Sequence, residues 1–588
     1  MQIQYYNNVQ WNNHHQTAAH PVSQYGTFTG ISEITQTDLG TMTSEATRTL
    51  RGHIATTRQI QDGATYIGLP AQIWAMPVGA GWCYNDLAGS PILQLACSGR
   101  ELNLPGDVPD PAANAGESSY SKNGLVGVSW IEAGHLHHNS SHPAGKVAMV
   151  LGGTRLRQLV KETEKRGLSF KTSGSHLGGS IAGVIATSSH GSRLGYGGVQ
   201  DQVAGMLLVT GENRTLWVEP ASEPLLNDAT IAQLGDNVVA IRDDAIFADA
   251  LIHLGAMGIV CAVAFKLVPD SGYNVVSREY PITREWLERV AAGEFRQLSA
   301  RLGEDREPCF YELTLDPRKG ADGQITAFHT FYYPVAAPPT ESEAIAVPHA
   351  ADTFSVFTAA VQAQKTTEST TWTWQKAQSI IDNFDAGKYY KDHIFNPSLK
   401  PPGKVYRWSD MHSDTLSGGV PGALHNASIA VDRHQLPEVF DRMFRAVKSL
   451  KPHFMFTARF VSNAAGTMAF TRFRETAVIE IDGLSRLGYN YIFQGTVQNI
   501  PAYPVVTEKA IKKVRRAFDA EPAPVDYSMH WGKLGWWGDA AKAHADYGPL
   551  SDPRSPLSRW RATRSRLIDP ACDGMFRNQG TVDWALLD

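Results

Sequence analysis

Cysteine is scarce in this 588-residue chain: Cys83, Cys97, Cys261, Cys309 and Cys572 are scattered and form no CxxC pair. An odd, dispersed set of this kind excludes a disulfide framework and a thiolate zinc site. Long apolar runs are also lacking. The longest nearly continuous one, Leu254 to Phe265, has 12 residues including two glycines, well short of the roughly 20 that span a bilayer. No Lys or Arg precedes Arg48 and no apolar core segment accompanies it, so no signal peptide is visible and a cytoplasmic location is expected. Excess charge is missing too. Lys and Arg number 53 against 58 Asp and Glu, a formal balance of −5, too small and of the wrong sign for nucleic acid or an anionic membrane as main partner. What is present is globular, with 43% hydrophobic and 19% charged residues, and this length predicts two to four domains.

Residues 1–42 are polar and weakly patterned and read as an N-terminal extension. Thr43 or Ser44 is placed to cap a helix reaching about Gln61. Strands are expected at Ile73 to Val78, Lys146 to Leu151, Met206 to Thr210, Thr215 to Val218 and Ile259 to Val268, with an amphipathic helix capped by Thr154 between the second and third. Pro269 closes a unit of 43–270. A second α+β unit over 271–510 holds a helix from Arg284 to Leu302 and strands at Phe310 to Leu315, Ile325 to Tyr333, Ala427 to Val431, Met455 to Val461 and Thr476 to Ile481. Within it, about 340–405, containing Trp372 and Trp374, reads as an insertion. Residues 511–588 form a C-terminal segment.

Four motifs carry chemistry. In Val78-Gly79-Ala80-Gly81-Trp82-Cys83-Tyr84, glycines without Cβ let backbone amides converge on an oxyanion such as a diphosphate; alone this is a weak signal, since a GxG turn after a strand is often only a turn. Between Thr172 and Gly198 glycine and serine are unusually dense, with Gly174, Ser175, Gly179, Ser180, Ile181, Gly183, Ala186, Thr187, Ser189, His190 and Gly191 as candidate ligand contacts. Small residues there let backbone lie flush on a flat ligand, and the spacing of Ile181, Val184 and Ile185 argues for a packed helix rather than a linker. Gly258-Ile259-Val260 is a glycine turn opening a strand. In His530-Trp531-Gly532-Lys533 a cation and an imidazole flank a glycine. The histidines 135, 137, 138 and 142 crowd one loop without an acidic or thiolate partner at convincing spacing, so no metal site is expected. The basic run Lys509, Lys512, Lys513, Arg515 and Arg516 reads as a solvated helix face.

In order and spacing these motifs resemble the vanillyl-alcohol-oxidase type of flavoproteins, the PCMH-type FAD-dependent oxidoreductases, and within them the aldonolactone, alditol and sterol oxidase branch. Ser180-Ile181-Ala182-Gly183 with Ser189-His190-Gly191-Ser192 is similar to its flavin-binding run, Gly258-Ile259-Val260 to its adenine-side turn, and His530-Trp531-Gly532-Lys533 to its C-terminal marker. The resemblance implies a two-subdomain FAD-binding domain, an α+β cap domain, and a C-terminal segment returning to the FAD domain. Many relatives attach the flavin through a histidine after the first glycine loop. Trp82 stands at that position, so FAD is expected to be non-covalent. The resemblance assigns Lys533 to the flavin edge where negative charge develops, and Arg459 to the active-site face of a cap strand. Relatives carry a glutamate two residues before that arginine; here it is Thr457, which leaves the base among His530, Glu312, Glu475 and a water. The implied activity is hydride removal from a C–OH group of a small-molecule alcohol, with O2 or another electron acceptor. Small polyols and lactones suit the C-terminal motif; the insertion favours a bulkier sterol, glycoside or natural-product intermediate.

Overall fold

The computed structural model describes residues 1–12, 19–29, 38–66, 75–78, 93–96, 124–319, 324–335, 385–393, 395, 403–411, 424–484, 491–493, 496–498 and 506–587. The first glycine loop from Gly79 to Tyr84, together with Trp372 and Trp374, lies outside them. Among the described residues three larger sheets carry the architecture. A four-stranded sheet has the order Gln2–Asn12, Ala19–Thr29, Leu93–Ala96, Ala75–Val78. Its first two strands come from the weakly patterned N-terminal residues, where the antiparallel pairing from Gln2 with Thr29 to Asn12 with Ala19 supplies the order that the polar composition hid.

The second sheet has six strands in the order Val238–Arg242, Arg214–Glu219, Val203–Gly211, Ile259–Lys266, Val147–Leu151, Val128–Trp130. Its central strands are buried almost throughout because both faces are covered. Leu207, Val209, Ile259 and Cys261 share a core with Met42, Ala46, Leu50 and Ile54 of the long helix Leu39–Tyr66. Met206, Leu208, Val260 and Val263 share another with Ile181 and Ile185. Burying a side chain of this size contributes about 1.5–3 kcal/mol, which explains apolar runs where an exposed sheet would alternate. Two expected caps move. The long helix starts before Thr43, whose hydroxyl donates instead to the Leu39 carbonyl at 2.9 Å, while the Asp38 carboxylate receives the Thr41 amide at 3.1 Å. Thr154 receives the Gly127 amide at 3.1 Å, and the helix Leu156–Glu164 follows Arg155, whose amide bonds Gln158 Oε1 at 2.9 Å.

The third sheet has seven strands in the order Gly272–Glu279, Ile325–Val335, Phe310–Lys319, Phe454–Ser462, Glu475–Leu484, Leu424–Asp432, Tyr527–Met529. Here the side chains alternate. Leu313, Ala458, Ile479 and Ile481 are fully buried on the side packed by helices Arg284–Ala292, Leu436–Val447 and Val506–Phe518. Successive side chains of a strand point to opposite faces and cross-strand partners share one. Glu312 opposite Arg459, Thr314 opposite Thr457, Thr457 opposite Glu480, Asn426 opposite Asp482 and Ser428 opposite Glu480 therefore all project from the other side. The helix expected from Arg284 to Leu302 breaks at Gly293, φ +78°, into Arg284–Ala292 and Phe295–Arg301. Helix Val506–Phe518 and strand Tyr527–Met529 belong to this sheet, so the chain returns towards the six-stranded sheet later than residue 511. Asp569 donates its amide to the Thr210 carbonyl at 3.1 Å, Trp560 Nε1 to the Ile252 carbonyl at 2.9 Å and Asn578 Nδ2 to the Leu254 carbonyl at 2.7 Å.

Candidate functional site

The glycine- and serine-rich run lies where the two larger sheets meet. Ser180 caps the helix Ile181–Ala186, its Oγ accepting from the Gly183 amide at 3.3 Å, while the Ile181 and Ala182 amides donate to the carbonyls of Thr154 and Gly152. Those three helix-start donors are thus committed within the protein. The donors left over are elsewhere: among the described residues, the buried amides of Gly178, Gly179, His190 and Gly191 have no acceptor, and the fully buried Thr172 hydroxyl has no partner. An unmet buried donor costs about 1–3 kcal/mol, so this set fits a ligand rich in acceptors.

Glycine is required where the segments touch. A Cβ on Gly152 would sit 2.2 Å from the Val260 carbonyl oxygen, one on Gly191 2.6 Å from that of Ser173, and Gly258 adopts φ +90° with its Cβ position 2.7 Å from the Val209 oxygen. Gly258–Val260, the turn Gly152–Thr154 and the start of helix Ile181–Ala186 are thereby pressed together. Gly174, Ser175, Gly179 and Ser180 precede that helix; Thr187, Ser189, His190 and Gly191 follow it, with Ala186 as its last residue. Val78 ends the strand Ala75–Val78.

From Ser192 the run docks onto the seven-stranded sheet. Ser192 Oγ donates to the Tyr311 carbonyl and receives the Phe460 amide at 2.9 Å, and the Leu194 amide meets the Cys309 carbonyl at 2.9 Å. Trp408 Nε1 donates to Ser173 Oγ at 2.9 Å. His190 consequently faces the polar side of the sheet, its Nε2 4.0 Å from Glu480 Oε1 and its ring centroid 6.2 Å from that of His530.

Glu480 is the centre of this face. Its Oε2 lies 2.9 Å from an Arg459 guanidinium nitrogen and its Oε1 accepts from Lys533 Nζ at 2.9 Å. Arg459 Nε also donates to Glu312 Oε2 at 2.7 Å. Burial alone would raise the Glu480 carboxyl, but Arg459, Lys533 and the nearby His190 overrule it and hold it well below the usual glutamate range. Sequence reading missed Glu480. The glutamate absent at position 457 has a counterpart directly across the ladder, since Thr457 pairs with Glu480 and its hydroxyl meets that of Thr314 at 3.1 Å. Alternation of Val478, Glu480 and Asp482 with Ile479 and Ile481 was the available signal.

The base candidates separate. His530 is buried, and desolvation with the Lys533 and His190 neighbours keeps its ring neutral. Its Nδ1 accepts the Gly532 amide at 3.0 Å, which places the ring proton on Nε2 and makes that nitrogen a donor. Glu475 lies away from the cluster, accepting from Arg433 at 2.8 Å and Ser462 at 2.9 Å. His190 donates from Nδ1 to the Gly191 carbonyl at 3.0 Å, and burial lowers its pKa to about 4.

Lys533 is held by its turn. The Lys533 amide donates to the His530 carbonyl at 3.2 Å and Leu534 to the Asn426 carbonyl at 3.1 Å. Trp531, stacked on Trp536 at 4.7 Å, donates to the Met468 carbonyl at 2.7 Å. Trp536 is thus interior packing, whereas Trp537 is 46% exposed beside Lys512. In the basic run, Lys512 pairs with Glu508 and Arg515 with Asp539. Among the described residues no cluster of three metal-ligating side chains occurs, and no helix is long and apolar enough to cross a membrane.

Residues 113–219 match the FAD binding domain family. The whole fold is similar to that of cholesterol oxidase from Brevibacterium sterolicum, with a TM-score of 0.60 at 13% identity over 99% of this chain and 97% of that one. A solvent-stable cholesterol oxidase gives 0.55 at 11% identity, covering 98% of each chain. The chain thus shares its fold with these oxidases and carries an FAD-binding domain over residues 113–219, and the unmet donors and close glycine contacts fit FAD. By sequence it is 35% identical over 128 residues to a putative D-arabinono-1,4-lactone oxidase of Neurospora crassa, 22% of this chain and 19% of that protein. It is 28% identical over 151 residues to D-arabinono-1,4-lactone oxidase of Yarrowia lipolytica, 25% and 24%, and 34% over 117 residues to L-gulonolactone oxidase 3 of Arabidopsis thaliana, 20% and 18%. These matches span about a fifth to a quarter of the relatives' lengths.

Proposed function

We propose that this protein is an FAD-dependent oxidase that removes hydride from a C–OH group of a bulky substrate, with dioxygen as final acceptor and hydrogen peroxide as product. The observation that carries this reading is the Glu312–Arg459–Glu480–Lys533 array on the polar sheet face, opposed to the glycine-rich run at His190. Bound FAD supplies the hydride acceptor. The run from Gly174 to Gly191 would hold it, with Trp82 in place of an attaching histidine favouring a dissociable cofactor. Lys533, fixed by Glu480, would present a positive charge to bound FAD, and Arg459, fixed between two carboxylates, would orient the oxygen of the alcohol. A preorganised cation of this kind stabilises a charge-developing transition state without reorganisation. The extra segment at about 340–405 supports a bulky substrate; the partial matches to aldonolactone oxidases support a second reading, a small polyol or lactone as donor.

Anaerobic mixing of the yellow holoprotein with sterols, glycosides, polyols and aldonolactones separates the two. Bleaching by the bulky class, with peroxide formed on admitting oxygen, is expected. Bleaching only by polyols or lactones selects the second reading, and no bleaching by any alcohol overturns both.

A further inference from the structure

The two cations of the polar face are matched by Glu312 and Glu480, and a third carboxylate remains. Asp482 follows Glu480 by two residues on the same strand and projects from the same face. Its contact is neutral: Asn426, its register partner, donates from Nδ2 to Asp482 Oδ1. Asp482 forms no ion pair among the described residues, and the buried Oδ1 of Asn426 has no partner there. We propose that Asp482 is the base that takes the hydroxyl proton of the substrate, with Asn426 as its proton-sensing partner.

This deepens the oxidase reading and rests on it. The hydroxyl proton would pass to Asp482 as the O–H bond breaks, and a bound FAD would take up the C–H hydride, so the alcohol becomes a carbonyl and proton and hydride are both accounted for. An ionised Asp482 needs the amide NH2 of Asn426. Once protonated, it needs an acceptor, which the unpartnered Oδ1 provides when the amide turns over. Of the other groups, His530 carries its proton on Nε2 and is a donor there, Glu475 is tied to Arg433, and Glu480 is locked between two cations.

The charges around Asp482 suit this task. Glu480 on its own strand and Glu312 on the Phe310–Lys319 strand oppose its ionisation, Arg459 on the Phe454–Ser462 strand and Lys533 on its turn favour it, and the Tyr390 hydroxyl from helix Ala386–His393 lies within its field. Burial is the largest influence, Glu480 the next, and together they push Asp482 up to about 7, matched to work at neutral pH.

Infrared difference spectra of the holoprotein between pH 5 and 9 should show a carboxylic-acid carbonyl band vanishing near pH 7 that is absent in D482N, beside bands of Asp201 and Asp546, which burial pushes up to about 6 and which the substitution leaves in place. In stopped flow, anaerobic flavin reduction by the alcohol should rise with pH through about 7 in the wild type. In D482N it should fall about 10²- to 10⁴-fold and lose that step, with substrate affinity little changed and partial recovery in D482E. A wild-type-like rate and pH step in D482N, or a D482N spectrum that has lost no band present in the wild type, overturns the assignment while leaving the oxidase reading intact. A wild-type flavin that no alcohol reduces removes both together.

Discussion

Replacing Glu480 by glutamine tests whether one carboxylate organises the site. Its side chain is 4% exposed, against 13% for Arg459 and 18% for Lys533, so the pairs are nearly sealed from water. Breaking a buried pair by removing one partner costs about 3–5 kcal/mol, because a desolvated charge is left without compensation. Arg459 retains Glu312 and glutamine retains an acceptor oxygen, which puts the loss at the lower end, about 3 kcal/mol or about two decades in the unfolding equilibrium. Urea unfolding of holo wild type and E480Q at pH 7 reads this as a lower midpoint at similar slope. The loss should persist in 1 M salt, where exposed pairs are screened but buried ones are not. Because the folded-state carboxyl is held below its ordinary value of 4.5, its contribution is fully present above that pH and disappears only as pH falls well below it. The double variant T457E/E480T moves the carboxylate to the facing position of the neighbouring strand and should recover much of the loss. An unchanged midpoint in E480Q, or a loss abolished by salt, would refute the idea of a sealed charge centre.

Lys533→Met removes the cation that Glu480 holds and should slow flavin reduction by about 10²-fold or more; an unaltered rate takes Lys533 out of the chemistry. Gly152→Ala puts a Cβ 2.2 Å from the Val260 carbonyl oxygen and should cost about 1–3 kcal/mol and loosen FAD, measured as a raised cofactor dissociation constant; undiminished affinity would show that this contact does not shape the cradle. Acid precipitation should leave the yellow colour in the supernatant, as Trp82 offers no attachment chemistry, and a coloured pellet would refute non-covalent binding.

Local features were legible before folding. The glycine run from Gly174 to Gly191, the turn at Gly258 and the His530–Lys533 motif are contiguous in sequence, and the roles proposed for them depend on backbone shape or on residues a few positions apart. Caps were less legible: Asp38 and Thr43 both offer oxygens, and only packing of the long helix on the six-stranded sheet chooses between them. The helix expected to run through Gly293 broke because a left-handed glycine there costs little.

The sequence by itself determined the motifs that resemble FAD-binding oxidoreductases, matched over residues 113–219 by the FAD binding domain family, and singled out Arg459 and Lys533 as candidate cations. Tertiary structure alone decided what those cations hold. Glu312, Glu480 and Asp482 are separated by up to 170 residues and reach one face through strand register, a relation with period two that no linear motif records. The neutral ring of His530, the placing of Glu480 across the ladder from Thr457, and the raised pKa of Asp482 follow from that register and from burial, both of which exist only once the strands have paired.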